Sequence, residues 1–141
     1  TASINATSYN VKQATVSGGN YTTSTSVTGL TYTNTGLVNG TRYSFVVSAA
    51  HSFGESTNSA EVSARPMSTA SPLLTFGNNS GQICVGWPTD HTGWWLQMQT
   101  NSIGEGLGTN WVNVSGSDAT NHLFIPINTT DGGAFFRLAY P

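Results

Sequence analysis

The chain has 141 residues, a formal net charge of −2 and only 7% charged side chains. Its basic residues, Lys12, Arg42, Arg65 and Arg137, are too few and too scattered to neutralise a run of phosphates or hold an anionic bilayer, which excludes nucleic acid and membrane surfaces as partners. With 16 glycines among abundant Ser, Thr and Asn, the composition suits short strands joined by tight polar turns, and the expected class is all-β.

No apolar stretch approaches the ~20 residues that span a bilayer. No leader sequence is visible either, so secretion is expected to be directed by residues outside these. The single cysteine, Cys84, excludes an internal disulfide framework, and within Ile83-Cys84-Val85 it reads as a small buried hydrophobe.

Alternation at period two marks the first strand, Tyr9-Asn10-Val11-Lys12-Gln13. Ser17-Gly18-Gly19-Asn20 turns the chain into a Tyr21-Thr22-Thr23 strand. Asn39-Gly40 then precedes a longer alternating run from Tyr43 to Ala49. Turn signals at spacings of about ten residues indicate an antiparallel sandwich.

Over residues 6–66 the chain resembles the fibronectin type III family, through Tyr9-Asn10-Val11, Tyr32-Thr33, Gly36-Leu37, Asn39-Gly40-Thr41-Arg42-Tyr43, Val46-Val47-Ser48-Ala49 and Gly54-Glu55-Ser56. The resemblance implies a tyrosine corner at Leu37 and Tyr43, in which a buried tyrosine hydroxyl ties down the loop before its own strand. The sequence departs from the family at its start, because Thr1-Ala2-Ser3 corresponds to the stretch just after the second strand. Strands A and B and their core tryptophan are therefore expected to be missing, which would leave one face apolar and uncovered.

Residues 1–66 are thus expected to form a partial fibronectin type III-like module. Residues 67–72, with Pro66 and Pro72 bracketing Met67-Ser68-Thr69-Ala70-Ser71, read as a linker. Residues 73–141 read as a second small antiparallel β-sandwich-like module, immunoglobulin-like or carbohydrate-binding-like, with strands at 73–76, 83–87, 94–99, 111–114, 123–127 and 135–140. Modules this small bury only enough core to be marginally stable.

The second half resembles a C-terminal β module that recurs in large secreted bacterial proteins beside fibronectin type III repeats. The likeness is carried by Gly86-Trp87-Pro88, Gly93-Trp94, Leu96-Gln97, Gln99-Thr100-Asn101, Asn110-Trp111 and Phe135-Phe136-Arg137-Leu138. It implies an extracellular, bacterial setting and a covalently attached catalytic domain in the parent protein, and it brings no catalytic motif.

The residues themselves also argue against an enzyme. The six carboxylates, Glu55, Glu61, Asp90, Glu105, Asp118 and Asp131, lie mostly in turns, with no spacing that opposes two across a cleft. His51, His91 and His122 are isolated, and no nucleophile elbow is present. No cofactor is expected; the alternative is a structural calcium held by the loop residues Asp90, Asp118 and Asp131, although no loop has a calcium-binding spacing.

All four tryptophans, Trp87, Trp94, Trp95 and Trp111, lie in the second half. Period two puts Trp94, Leu96 and Met98 on one face of their strand, reading as core, and Trp95, Gln97 and Gln99 on the other. An indole flanked by amides suits a pyranose, the ring packing on the C–H face of the sugar while the amides bond its hydroxyls. Trp95, Gln97 and Gln99 therefore form the candidate platform. Trp111 with Asn113 on its face is either a second ring or structural, and Trp94 is either core or a cleft rim. The expected function is non-catalytic binding of a polysaccharide of the β-glucan type, as an accessory domain of a secreted glycoside hydrolase; the alternative is a spacer or adhesion module with no sugar ligand.

Overall fold

The computed structural model describes residues 3–141, and the chain divides into two compact units, Thr1–Pro66 and Met67–Pro141. Among the described residues the regular elements are eleven strands and two single-turn 3-10 segments, an all-β, antiparallel architecture. The expected place of Thr1 and Ala2 just after a missing strand lies outside the described residues.

The first unit is one five-stranded sheet. Strands β1 (Ser8–Ala14), β2 (Thr22–Val27), β3 (Tyr43–His51) and β4 (Gly54–Glu55) lie in the order β2-β1-β3-β4, and β5 (Val62–Ala64) also pairs with β3. The register Tyr9↔Ala49, Val11↔Val47 and Gln13↔Phe45 puts the apolar side chains of β1 and β3 on one face. That face lines an open groove of about 730 Å³, with Val27, Leu30 and Tyr32 on its walls.

On the opposite face, Ser44, Val46 and Ser48 are buried beneath a polar cover. The Ser44 hydroxyl donates to Glu61 at 3.0 Å, that of Ser48 to Glu55, and Lys12 pairs with Glu55 at 2.6 Å. The expected tyrosine tie is present: Tyr43 is buried, and its hydroxyl oxygen accepts the Val38 N–H at 3.1 Å from the loop before β3.

The second unit is a sandwich of two three-stranded sheets. Strands β6 (Thr75–Asn79), β7 (Gln82–Gly86) and β10 (His122–Pro126) form one, in the order β10-β7-β6; β8 (Trp95–Asn101), β9 (Val112–Asn113) and β11 (Gly133–Ala139) form the other, in the order β11-β8-β9. Val85, Trp87 and Leu96 are the buried centre of the core, with Ile83, Leu123, Ile125, Val114, Phe136 and Leu138 packed around them. Alternation accounts for this set: the inward residues of β7, β8, β10 and β11 are the apolar ones.

Three expectations change. The connection expected between strands at 73–76 and 83–87 is shorter, because β6 runs through Asn79 and the reversal is the pair Ser80-Gly81, both at positive φ (47° and 84°). Two such residues make the tight turn whose twist matches the flanking strands. Cys84 lies outside the core, half-buried: its neighbours Ile83 and Val85 take the inward positions, and it stands across from Phe124. Finally, residues 67–72 belong to the second unit as an ordered strap, with the Ser68 N–H donating to the Asp90 carbonyl at 2.9 Å.

Candidate functional site

Because Leu96, Phe136 and Leu138 point into the core, their neighbours Trp95, Gln97, Gln99, Arg137 and Ala139 fall on the outer face of the β11-β8-β9 sheet. The register sets Gln97 directly between Arg137 on β11 and Asn113 on β9. The three side chains form one hydrogen-bonded row: Arg137 Nε donates to Gln97 Oε1 at 2.8 Å, and Gln97 Nε2 donates to Asn113 Oδ1 at 2.8 Å.

One step along the strands, Trp95 is half-buried, facing the small Ala139 across the pair. At the other side of the row, Trp111 is also half-buried, with the Arg137 guanidinium 4.3 Å from its ring centroid, within cation–π range. The structure thus gathers Trp95, Gln97, Asn113 and Trp111 on one face and adds Arg137. Sequence reasoning missed Arg137, although it is the only Lys or Arg in the second half and sits in the outward register between Phe136 and Leu138.

Gln99 and Trp94 do not share this exposure. Gln99 has the outward direction that alternation gives it, yet it is only 2% exposed because the loop 102–110 folds over it. Its amide donates to Asn110 Oδ1, and its carbonyl oxygen accepts the Gly108 N–H at 3.2 Å. A Cβ on Gly108 would stand 2.9 Å from Gln99 Nε2 and 3.0 Å from Asn110 Oδ1, so the loop backbone lies close against the Gln99 amide.

Trp94 is 8% exposed and anchors the strap: its Nε1 donates to the Ser68 carbonyl at 3.1 Å, and its ring meets His91 and Tyr140 edge to face. His91 adds a second tie, with Nε2 at 2.8 Å from the Ala70 carbonyl and Nδ1 at 2.7 Å from Asp90. Gln99 and Trp94 are therefore fixed by their own unit, and the outward set narrows to Trp95, Gln97, Asn113, Trp111 and Arg137.

The strongly perturbed carboxylates both lie in the first unit. The Tyr21 hydroxyl, the Gly18 N–H and the Ser17 hydroxyl hold Glu61 down at about 2, and Lys12 and the Ser48 hydroxyl do the same for Glu55. Both are thereby kept ionised as hydrogen-bond acceptors, the opposite of what a general acid needs. Among the described residues no three His, Cys, Asp or Glu side chains come together as a metal site.

A sandwich that presents an aromatic ring and an amide row on one outer sheet face can be compared with known proteins. The chain is similar to part of an amylopullulanase. Over 108 residues it is 38% identical to that protein from Thermoanaerobacter thermohydrosulfuricus, a match that takes in 72% of this chain and 7% of the relative's length. No protein-family model matches the sequence. No helix among the described residues is long and apolar enough to cross a membrane.

Proposed function

We propose that the chain is a non-catalytic accessory segment of an extracellular bacterial glycoside hydrolase, and that its second unit binds polysaccharide on the outer face of the β11-β8-β9 sheet. The observation that carries this reading is the placing of Trp95 next to the Arg137-Gln97-Asn113 row, an apolar ring beside a line of hydrogen-bonding groups. The ring would take the C–H face of a pyranose, and the row its hydroxyls.

The similarity to a small part of an amylopullulanase supports an accessory role, since the remainder of so long a relative leaves ample chain for catalysis. That relative's name also favours pullulan and amylose over the β-glucan expected from the residues alone. Affinity electrophoresis of the full chain and of Trp95→Ala, in gels of pullulan, amylose, β-glucan, xylan or mannan, tests the reading. Retardation of the wild type that is lost in the variant is the expected result; unchanged migration in every gel overturns it.

A spacer with no sugar ligand is the second reading, favoured by one observation. Both polar atoms of Gln97 are already paired within the protein, and Arg137 already stacks on Trp111. On this reading the row serves only to zip the three strands together.

A further inference from the structure

We propose that the polar cleft between the loop 102–110 and the turn 127–132 of the second unit is a second carbohydrate site, which takes one or two neutral hexopyranose units of a glucan through their hydroxyls. This rests on the reading of the second unit as polysaccharide-binding and specifies where the ligand goes beyond Trp95.

The cleft is open to solvent, has a volume of about 520 Å³ and is lined by Asn101, Glu105, Asn110, Thr130 and Asp131, with the exposed Ile103 at its side. That volume lies within the range of small-molecule sites, and the open, polar lining suits a ligand held by its hydroxyls. Its shape is set by backbone contact. A Cβ on Gly132 would fall 2.3 Å from the Ile103 nitrogen and 2.6 Å from the Ser102 carbonyl carbon, so the turn lies directly against the loop.

The lining chemistry selects the ligand. Glu105 accepts the Ser102 N–H at 3.2 Å, and Asp131 accepts from the Asn128 amide at 3.1 Å. A carboxylate has about four lone-pair sites, so each retains acceptor capacity for a second donor. Vicinal sugar hydroxyls are such donors; the Thr130 hydroxyl, whose proton goes to Asn128 Oδ1 at 2.8 Å, adds an acceptor, and the Asn101 and Asn110 amides, bonded to the Gly106 carbonyl and to Gln99, keep one or more N–H groups for a ligand.

Two carboxylates without a Lys or Arg in the lining disfavour uronate, sulfate and phosphate groups by like-charge repulsion and favour a neutral sugar. A metal is a poorer fit, because the described residues bring no three His, Cys, Asp or Glu together.

The position also suits an extended chain. Asn101, at the end of β8, lines the cleft, and Trp95 begins the same strand, about 20 Å away at the usual rise per residue. Asn110, on the cleft wall, is joined to Gln99 of β8 and precedes Trp111. A glucan held at both places would stack on Trp95 and cross over the loop 102–110, which covers Gln99, to reach the cleft.

Calorimetric titration of the full chain with maltose, maltohexaose, cellohexaose and trigalacturonate tests this, using wild type, Trp95→Ala, and the double variant Glu105→Gln with Asp131→Asn. Both carboxylates are on exposed residues, and circular dichroism verifies that the double variant is folded; Thr130→Tyr, which fills the cleft, serves as an independent variant. The expected result is at least tenfold weaker hexaose binding in the double variant and in Thr130→Tyr, maltose binding that survives Trp95→Ala, and no binding of trigalacturonate. Wild-type affinity in both cleft variants, with hexaose binding lost in Trp95→Ala, overturns the cleft and leaves the platform standing. Trigalacturonate bound as tightly as the neutral sugars overturns the assigned ligand class. Absence of sugar binding by the wild type overturns both proposals.

Discussion

The Arg137 guanidinium lies 4.3 Å from the centroid of the Trp111 ring while its Nε donates to Gln97 Oε1 at 2.8 Å. One side chain thus joins an indole on one edge of the β11-β8-β9 sheet to the central strand, occupying a ring face that a sugar would otherwise use.

Removing that side chain should uncover the indole. In Arg137→Ala, acrylamide should quench tryptophan fluorescence more strongly than in the wild type. Stability should fall by only about 1 kcal/mol, the size of an exposed cation–π contact. Stern–Volmer slopes and a urea midpoint measure the two effects, and unchanged quenching would mean that Arg137 does not cover Trp111 in solution.

Acid should weaken the first unit within a definite window. Glu55 and Glu61 titrate near 2 in the folded chain against an ordinary 4.5, so between those values protons bind the unfolded chain preferentially. Their stabilising contribution is complete above pH 4.5 and is lost as the pH falls toward 2. Glu61→Gln should flatten that acid limb in pH-dependent urea melts.

The same contact acts at the alkaline end. The hydrogen bond to Glu61 raises the Tyr21 hydroxyl above its usual 10, so its contribution is complete below pH 10 and is lost as the pH climbs beyond it. Tyr21→Phe should therefore flatten the alkaline limb, and Glu61→Gln should flatten both.

Core truncation should unfold the second unit selectively. Leu96→Ala removes a fully buried side chain from the contact with Val85 and Trp87, at a cost of about 2–5 kcal/mol. The Nε1 of Trp87 is buried without a hydrogen-bond partner among the described residues, so Trp87→Phe should cost clearly less than Trp87→Ala, for which about 3–5 kcal/mol is expected. Calorimetry that resolves two transitions should show only one of them shifting in all three variants.

Trp94 should control the strap. Trp94→Phe keeps most of the ring but deletes the bond to the Ser68 carbonyl, worth about 1 kcal/mol. Limited proteolysis should cut within 67–72 faster in the variant than in the wild type; equal rates would show that the Ser68 N–H bond to Asp90 and the His91 bond to Ala70 suffice to hold the strap.

Much of the fold was legible because strand alternation and turn chemistry are local. Trp95-Leu96-Gln97 announces its inner and outer faces by period two alone, and the structure keeps those directions, whereas in β3 Ser44 and Ser48 are buried beneath Glu61 and Glu55 while Val47 is exposed. The tie from Tyr43 to the loop before its strand is local in the same sense, with five residues separating donor and acceptor. Where a local reading failed, as at Asn78-Asn79, the dipeptide Ser80-Gly81 offered a tighter reversal that the longer run of turn formers concealed.

The candidate site was legible only in part. The sequence by itself determined that Trp95, Gln97 and Gln99 share one side of a strand, because side-chain direction in an extended chain follows from backbone geometry. Only the tertiary structure decided which of them meets solvent. The loop 102–110 that follows β8 folds back over Gln99, and β9 and β11 bring Asn113 and Arg137 to either side of Gln97. Exposure and hydrogen-bond partnership depend on what packs across from a residue, and β-sheet pairing draws those partners from positions distant in sequence.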